Sequence, residues 1–131
     1  MIAMQARTRD NTKQVLTKAK KGSIKSLGHA GATIRLTAKR SIRRRKKASA
    51  EGKPPSTRKG QLRGAIMYAV EKQNDLVAIG PEHTKVGKSA SAHEHGGRYK
   101  RQRYPKRPFM GPALDTTKER LPRKWACSVR G

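Results

Sequence analysis

No acidic side chain occurs between residues 11 and 50, and residues 40–47 read RSIRRRKK, six cations in eight positions. Over the whole chain of 131 residues, 33 Lys and Arg face 8 Asp and Glu, a formal net charge of +25. A compact molecule with that imbalance repels itself. Its fold must therefore leave the cationic segments at the surface, beside something negative. Nucleic acid, an acidic membrane surface and an acidic protein are the three candidates.

The same composition limits the core. Hydrophobic residues make up 33%, against about 45–50% in a typical globular domain. The aromatics are Tyr68, Tyr99, Tyr104, Phe109 and Trp125. One small core is expected, in a single domain over 1–131. It divides into a polar basic segment (1–23), a core region (24–121) with a loop at 48–60, and a tail (122–131). Part of such a chain is expected to order only against neighbours. The single cysteine, Cys127, excludes an internal disulfide and reads as a small reduced side chain near a helix end. The longest apolar run, residues 65–70, is far shorter than the ~20 residues of a membrane span. The N-terminal MIAMQARTRD lacks the apolar region of a secretory signal. The expectation is a soluble, reduced, intracellularly made protein.

Periodicity supplies the elements. Val15, Leu16 and Ala19 predict a short helix over about 11–20, ended by Gly22. Leu27, Gly31, Ile34, Ala38 and Ile42 recur at steps of three or four and predict a second helix over 25–45. Arg35, Lys39, Arg43 and Lys46 follow the same steps on another face. A merely solvated face would mix in acids for i,i+4 pairing, and this one has none. Residues 48–60, with Pro54-Pro55 and two glycines, predict a loop. Residues 61–70 and 75–79 predict a β-hairpin turning at 71–74. Ile66, Tyr68 and Val70 share one strand face, with Ala65, Met67 and Ala69 on the other. Both faces are apolar, so both sides of the sheet are expected to be covered, one by the long helix and the other by a neighbouring subunit. Residues 82–105 read as irregular, and 108–125 as a closing helix with Leu114, Leu121 and Trp125 on one face, broken by Pro122. The fold class is α+β.

The chemistry points away from catalysis. His93-Glu94-His95 lacks the spacing that brings two histidines to one zinc, and His29 and His83 are remote in sequence, so the cluster reads as a polar turn. The acids are scattered, without the clustered carboxylates that metal-dependent nuclease chemistry requires. No P-loop, nucleophile elbow or dinucleotide fingerprint is present. The expectation is no enzyme, no metal and no cofactor. Contact with DNA or an acidic partner is assigned to Arg35, Lys39, Arg40, Arg43, Arg44, Arg45, Lys46 and Lys47. Arg98, Lys100, Arg101 and Arg103 form a second group, where Tyr99 and Tyr104 are placed to stack on bases. Signatures of the common RNA-binding and zinc-finger modules are absent, so any nucleic-acid contact is to the backbone. Ile34, Ile42, Leu62, Ile66, Tyr68, Ile79, Phe109 and Leu114 are assigned to the core and assembly surfaces.

Three blocks in this order carry a resemblance: SIRRRKKASAEGKPPSTRKGQLRGAI (41–66), LVAIGP (76–81) and HEHGGRYKRQRYPKRPFMGPAL (93–114). The chain resembles the neck and tail-completion (virion morphogenesis) family of tailed bacteriophages over about residues 30–121. In that family a helix leads through a Pro-containing loop into a TGxLRxSI segment, then a VGP strand end, a HEFGG turn and a RPFMRPAL helix start. The counterparts here are KGQLRGAI (59–66), IGP (79–81), HEHGG (93–97) and RPFMGPAL (107–114), with His95 standing where the family carries an aromatic. The resemblance implies a non-enzymatic subunit of a homo-oligomeric ring, hexameric or dodecameric, at the head–tail junction or upper tail. It also implies portal-side, neck or tail-tube proteins and the genomic DNA in the channel as partners, with no membrane. The location it implies is the virion, and the host cytoplasm during assembly. The rival reading is a free-standing, sequence-nonspecific nucleic-acid-binding protein of ribosomal-protein-like composition.

Overall fold

The computed structural model describes residues 12–126. A single helix, α1 (Thr12–Ser41), opens the fold with 30 residues, which makes it about 45 Å long. Ser26, Ala30, Gly31, Ile34 and Ala38 are its buried positions, a narrow apolar stripe of the kind the spacing predicts. The break expected at Gly22 does not occur. One interior glycine costs about 1 kcal/mol, and the helix runs through it. At its other end α1 stops earlier than periodicity predicts. Ile42 turns fully into the core, and the next residues leave the helical path as β1 (Arg43–Arg44), pairing in parallel with β2 (Ser56–Thr57). The stripe expected from Arg35, Lys39, Arg43 and Lys46 is therefore not one helical face. Its first two members belong to α1, and the other two to an extended strap.

The chain then forms a short helix, α2 (Gln61–Ala65), where a strand start is expected, and switches at Ile66 into β3 (Ile66–Glu71). β4 (Leu76–Pro81) pairs with it antiparallel, in a register running from Ile66↔Pro81 to Glu71↔Leu76. Asn74 Nδ2 donates to Glu71 Oε1 across the turn at 2.6 Å. Asp75 takes a left-handed φ of 48°, which its short polar side chain tolerates.

This hairpin packs on α1 through the Ile66/Tyr68/Val70 face. Gly31 makes the approach possible: a Cβ there would stand 2.8 Å from both Tyr68 Cδ2 and Val77 Cγ2. Arg35 Nε donates to the Ile66 carbonyl at 2.8 Å and fixes the same crossing. The other face, with Met67, Ala69, Leu76 and Ala78, is exposed. Cover was expected on both sides, and within the chain it exists on one. Tyr68, although on the α1 face, is 39% exposed and is not a core residue of the single chain.

The stretch 82–105, expected to be irregular, contains α3 (His83–Val86), α4 (Ser89–His95) and an antiparallel hairpin of β5 (Gly97–Tyr99) and β6 (Gln102–Tyr104). The expected closing helix is two pieces, α5 (Met110–Thr117) and a 3-10 turn (Leu121–Lys124) that takes Pro122 near its start. Phe109, Ala113 and Thr117 point inward. Leu114, one residue past Ala113 on the helix, is 46% exposed and is not core, while Leu121 packs against the core. Ser26 Oγ donates to the Lys124 carbonyl at 2.7 Å, and Trp125 Nε1 to Ser23 Oγ at 3.4 Å, so the C-terminal turn is stapled back onto α1. Cys127 lies outside the described residues.

The core is one cluster: Ile34, Ala38, Ile42, Leu62, Ile66, Ala90, Phe109 and Ala113, flanked by Ile79, Val86, Met110 and Leu121. The architecture is α+β, a long N-terminal helix with small two-stranded sheets and a short C-terminal helix. Among the described residues no helix is long and apolar enough to cross a membrane.

Candidate anion interface

Residues 43–60 form a strap that starts at the C-terminal end of α1 and is held in an unusual way. The β1–β2 pairing continues as Arg45 N donating to the Thr57 carbonyl at 3.0 Å. Arg44 Nε donates to the Arg58 carbonyl (3.1 Å) and Arg58 Nε to the Lys46 carbonyl (3.3 Å), so each arginine clamps the opposite limb. Ser56 Oγ adds a bond to the Lys47 carbonyl at 2.8 Å. The far end is pinned by Arg107 Nε on the Ser49 carbonyl (2.8 Å) and by Gly52 N on the Lys106 carbonyl (2.8 Å). Pro55, within the strap, is fully buried. The cations are thus carried on a fixed backbone.

Alternation along the extended limb sorts the side chains. Arg43, Arg45 and Lys47, with Arg40 and Lys53, line an open groove of about 860 Å³ whose other walls are Ser, Ala and Pro. Arg44, on the other side, is occupied with Arg58. Arg58 also lines a second cleft of about 580 Å³, with Lys85 and with Lys100 from the β5–β6 hairpin. Arg58 from the strap and Lys100 from the second basic group thus share one cleft, which no member of the first expected group lines. Arg35 does not join them, being bonded to the hairpin backbone. Lys39 stands nearer Arg63 and Lys85. Its ammonium titrates below the usual lysine value, through desolvation first and then repulsion by Arg35, Arg63 and Lys85.

Neutralisation inside the chain is slight. The ion pairs among the described residues are Lys85–Glu82 at 2.9 Å and Lys118–Asp115 at 3.6 Å, both exposed and both i,i+3. Pairs of that kind contribute about 0.3–0.5 kcal/mol. No strap cation takes part in one.

The second basic group sits on a strained tip. Lys100 and Arg101 both have positive φ, 47° and 63°. That is the conformation a two-residue hairpin turn demands and that Asn-Gly normally supplies. Arg98 and Arg103 are directly opposed across the strands, a like-charge pair that is itself unfavourable. The tyrosines expected to stack on bases are engaged internally. Tyr104 packs edge-on against His93 at 5.0 Å, Tyr99 lies 6.2 Å from Tyr104, and Lys100 Nζ stands 5.4 Å over the Tyr99 ring.

The His93-Glu94-His95 segment has a role that sequence reading missed. Glu94 Oε2 accepts from the backbone N–H groups of Phe109 (2.8 Å) and Met110 (3.0 Å), and Oε1 from that of Gly111 (2.9 Å). One carboxylate thus caps the start of α5, which has no local side-chain cap. Burial pushes the Glu94 carboxyl upward, but the three N–H bonds and His95 outweigh it and hold it below the usual glutamate range. His93 is kept below the usual histidine value by burial and then by Arg107. Its Nδ1 has no hydrogen-bond partner. Among the described residues no group of three His, Cys, Asp or Glu is placed to hold a metal. Lys53 and Arg58 lie in the loop that follows the basic stretch, and no periodicity there singles them out in the sequence.

Compared with protein-family models, with curated proteins and with solved structures, the chain matches none.

Proposed function

We propose that this chain is a non-enzymatic structural subunit of a tailed-phage virion. In this reading it is a ring component of the neck or upper tail, of tail-completion or terminator type, that joins head to tail around the DNA channel. The observation that carries the reading is the open β3–β4 hairpin. Met67 and Leu76 are 45% and 42% exposed on its outer face, and the sheet has only two strands. A two-stranded hairpin is marginal on its own, and unpaired edges beside an apolar face invite another chain. A second copy of the same subunit supplies both cover and edge pairing, and repetition around an axis closes a ring.

The charge agrees with that setting, since a stack that surrounds DNA places a fixed polyanion beside every subunit. A free-standing nucleic-acid binder accounts for the cations equally well but gives the hairpin's outer face no occupant. Quantitative mass spectrometry of gradient-purified tailed particles, scaled to the portal, tests the proposal. Six or twelve copies per particle are expected. Absence from intact particles overturns it.

A further inference from the structure

We propose that the groove along the strap is a docking site for the phosphodiester backbone of duplex DNA, read without regard to sequence. The inference rests on the proposed function only for which duplex is bound, the packaged genome. The groove itself is argued from its own chemistry.

Arg43 and Arg45 stand about 6.6 Å apart if the strand geometry of β1 is carried one residue on, and Lys47, past a bend at 46–47, lines the same groove. Such a row matches the successive phosphates of a strand. The lining includes no acid, and among the described residues no carboxylate pairs with these cations. The clamps at Arg44 and Arg58 hold the backbone of the row in place before any ligand arrives, so little backbone entropy is left to lose on binding.

The walls decide between polyanions. They hold no aromatic and no large apolar side chain. Protein interfaces draw their affinity from buried Trp, Tyr and Arg anchors seated in pockets, and single strands draw theirs from bases stacked on aromatics. No aromatic anchor exists in the groove, whose arginines line an open wall and not a closed pocket, and Tyr99 and Tyr104 are engaged with His93 and with each other. What remains is charge on a rigid spacing, which suits the ligand of highest charge density, a duplex with one phosphate per ~1.7 Å of axis.

The test uses the full chain and a labelled 20-base-pair duplex of mixed sequence, titrated by fluorescence anisotropy from 50 to 200 mM salt. The strap variant is Arg43→Ala/Arg45→Ala/Lys47→Ala, whose side chains make no hydrogen bond among the described residues. The matched control is Lys13→Ala/Lys18→Ala/Lys21→Ala. It removes the same charge from exposed sites on α1, roughly 30 Å or more from the strap along the helix and thus beyond the ~10 Å Debye length.

Each lost phosphate contact lowers the salt slope by about 0.9. The strap variant is therefore expected to lose about 2.7 in slope and to bind roughly 500-fold more weakly at 0.1 M, while the control loses less than 1 in slope. Equal losses in the two variants, or none in the strap variant, overturn the proposal. So does a single-stranded 20-mer, or polyglutamate of equal charge, that binds the wild-type strap more tightly than the duplex. If the triple variant fails to fold by circular dichroism, Arg40→Ala/Lys53→Ala serves instead, with an expected slope loss of about 1.8. A purified chain that binds DNA through the strap but is absent from particles removes the virion reading alone. A chain present in particles whose strap variant binds DNA normally removes the groove alone.

Discussion

Replacing Glu94 with Ala leaves three backbone N–H groups at the head of α5 without their acceptor. These are Phe109, Met110 and Gly111, bonded at 2.8, 3.0 and 2.9 Å in the native chain. Losing an ordinary N-cap costs about 0.5–2 kcal/mol, and an ionised acceptor with favourable dipole alignment adds up to about 1 more. Water replaces part of the loss, because the Gly111 bond is exposed. We expect Glu94→Ala to lose about 2–3 kcal/mol, which for a chain of this length lowers Tm by roughly 8–12 °C. Glu94→Gln should recover little of it. Its amide offers one acceptor oxygen and turns a donor toward an N–H that needs an acceptor.

Acid supplies the internal control. The carboxyl of Glu94 is held below its unfolded value, which is about 4.3. Its ionised contribution is therefore fully present above about pH 4.3 and is lost as pH falls through the folded pKa. The gap in Tm between wild type and Glu94→Ala should be widest near neutral pH and should narrow below about pH 4. His93 also weakens the fold on acidification. Its folded pKa is lowered, so the loss begins near its unfolded value of about 6.5 and grows toward the folded one. That loss occurs in both proteins and largely cancels in the difference. Thermal melts by circular dichroism at pH 7, 5 and 3.5 make the measurement. A gap that stays constant to pH 3.5, or a Glu94→Ala Tm within about 2 °C of wild type at pH 7, refutes the capping argument.

Two further outcomes follow from the packing of the hairpin. Gly28→Ala, with nothing within 4 Å of the new Cβ, should stabilise by about 1 kcal/mol through helix propensity. Gly31→Ala meets Tyr68 and Val77 at 2.8 Å and should lose about 1–3 kcal/mol to overpacking before that gain is credited; equal urea midpoints for the two variants would show that α1 does not sit on the hairpin this closely. Met67→Asp/Leu76→Asp, on the exposed face, should cost the isolated chain only about 1–2 kcal/mol in urea unfolding, from strand propensity and the new Asp opposite Glu71, yet prevent incorporation into particles, and wild-type copy number for that variant counts against the hairpin as the subunit contact.

The elements that were legible in the sequence are those with local periodicity. Gly31, Ile34, Ala38 and Ile42 announce the α1 stripe, and the paired apolar runs announce β3 and β4. The end of α1 was not legible. Arginine and lysine favour helix, so nothing local in RSIRRRKK stops it, and the stop comes from the burial of Ile42 and from a strand partner at Ser56–Thr57. Tyr68 faces α1 as its strand position predicts. Its ring lies against Gly31, yet it keeps 39% exposure in the single chain. Glu94 was hidden for a different reason. A capping box acts over three residues, whereas this carboxylate reaches across fifteen or more to a helix in another part of the chain. Only the fold brings the HEHGG and RPFMGPAL segments together.

The two proposed surfaces constrain each other. Apolar association through the outer face of the hairpin brings like-charged subunits together, each carrying +25. The repulsion grows with every copy added to a ring. At moderate salt cations beyond a Debye length are screened, but in a ring whose straps faced the channel those on neighbouring straps would not be. A polyanion lying in the grooves removes that cost, and a ligand bound preferentially by the assembled form must by linkage favour assembly. If both proposals hold, DNA in the channel and closure of the ring are therefore coupled events. The hairpin then supplies the contact between copies, and the strap supplies the condition under which that contact is favourable.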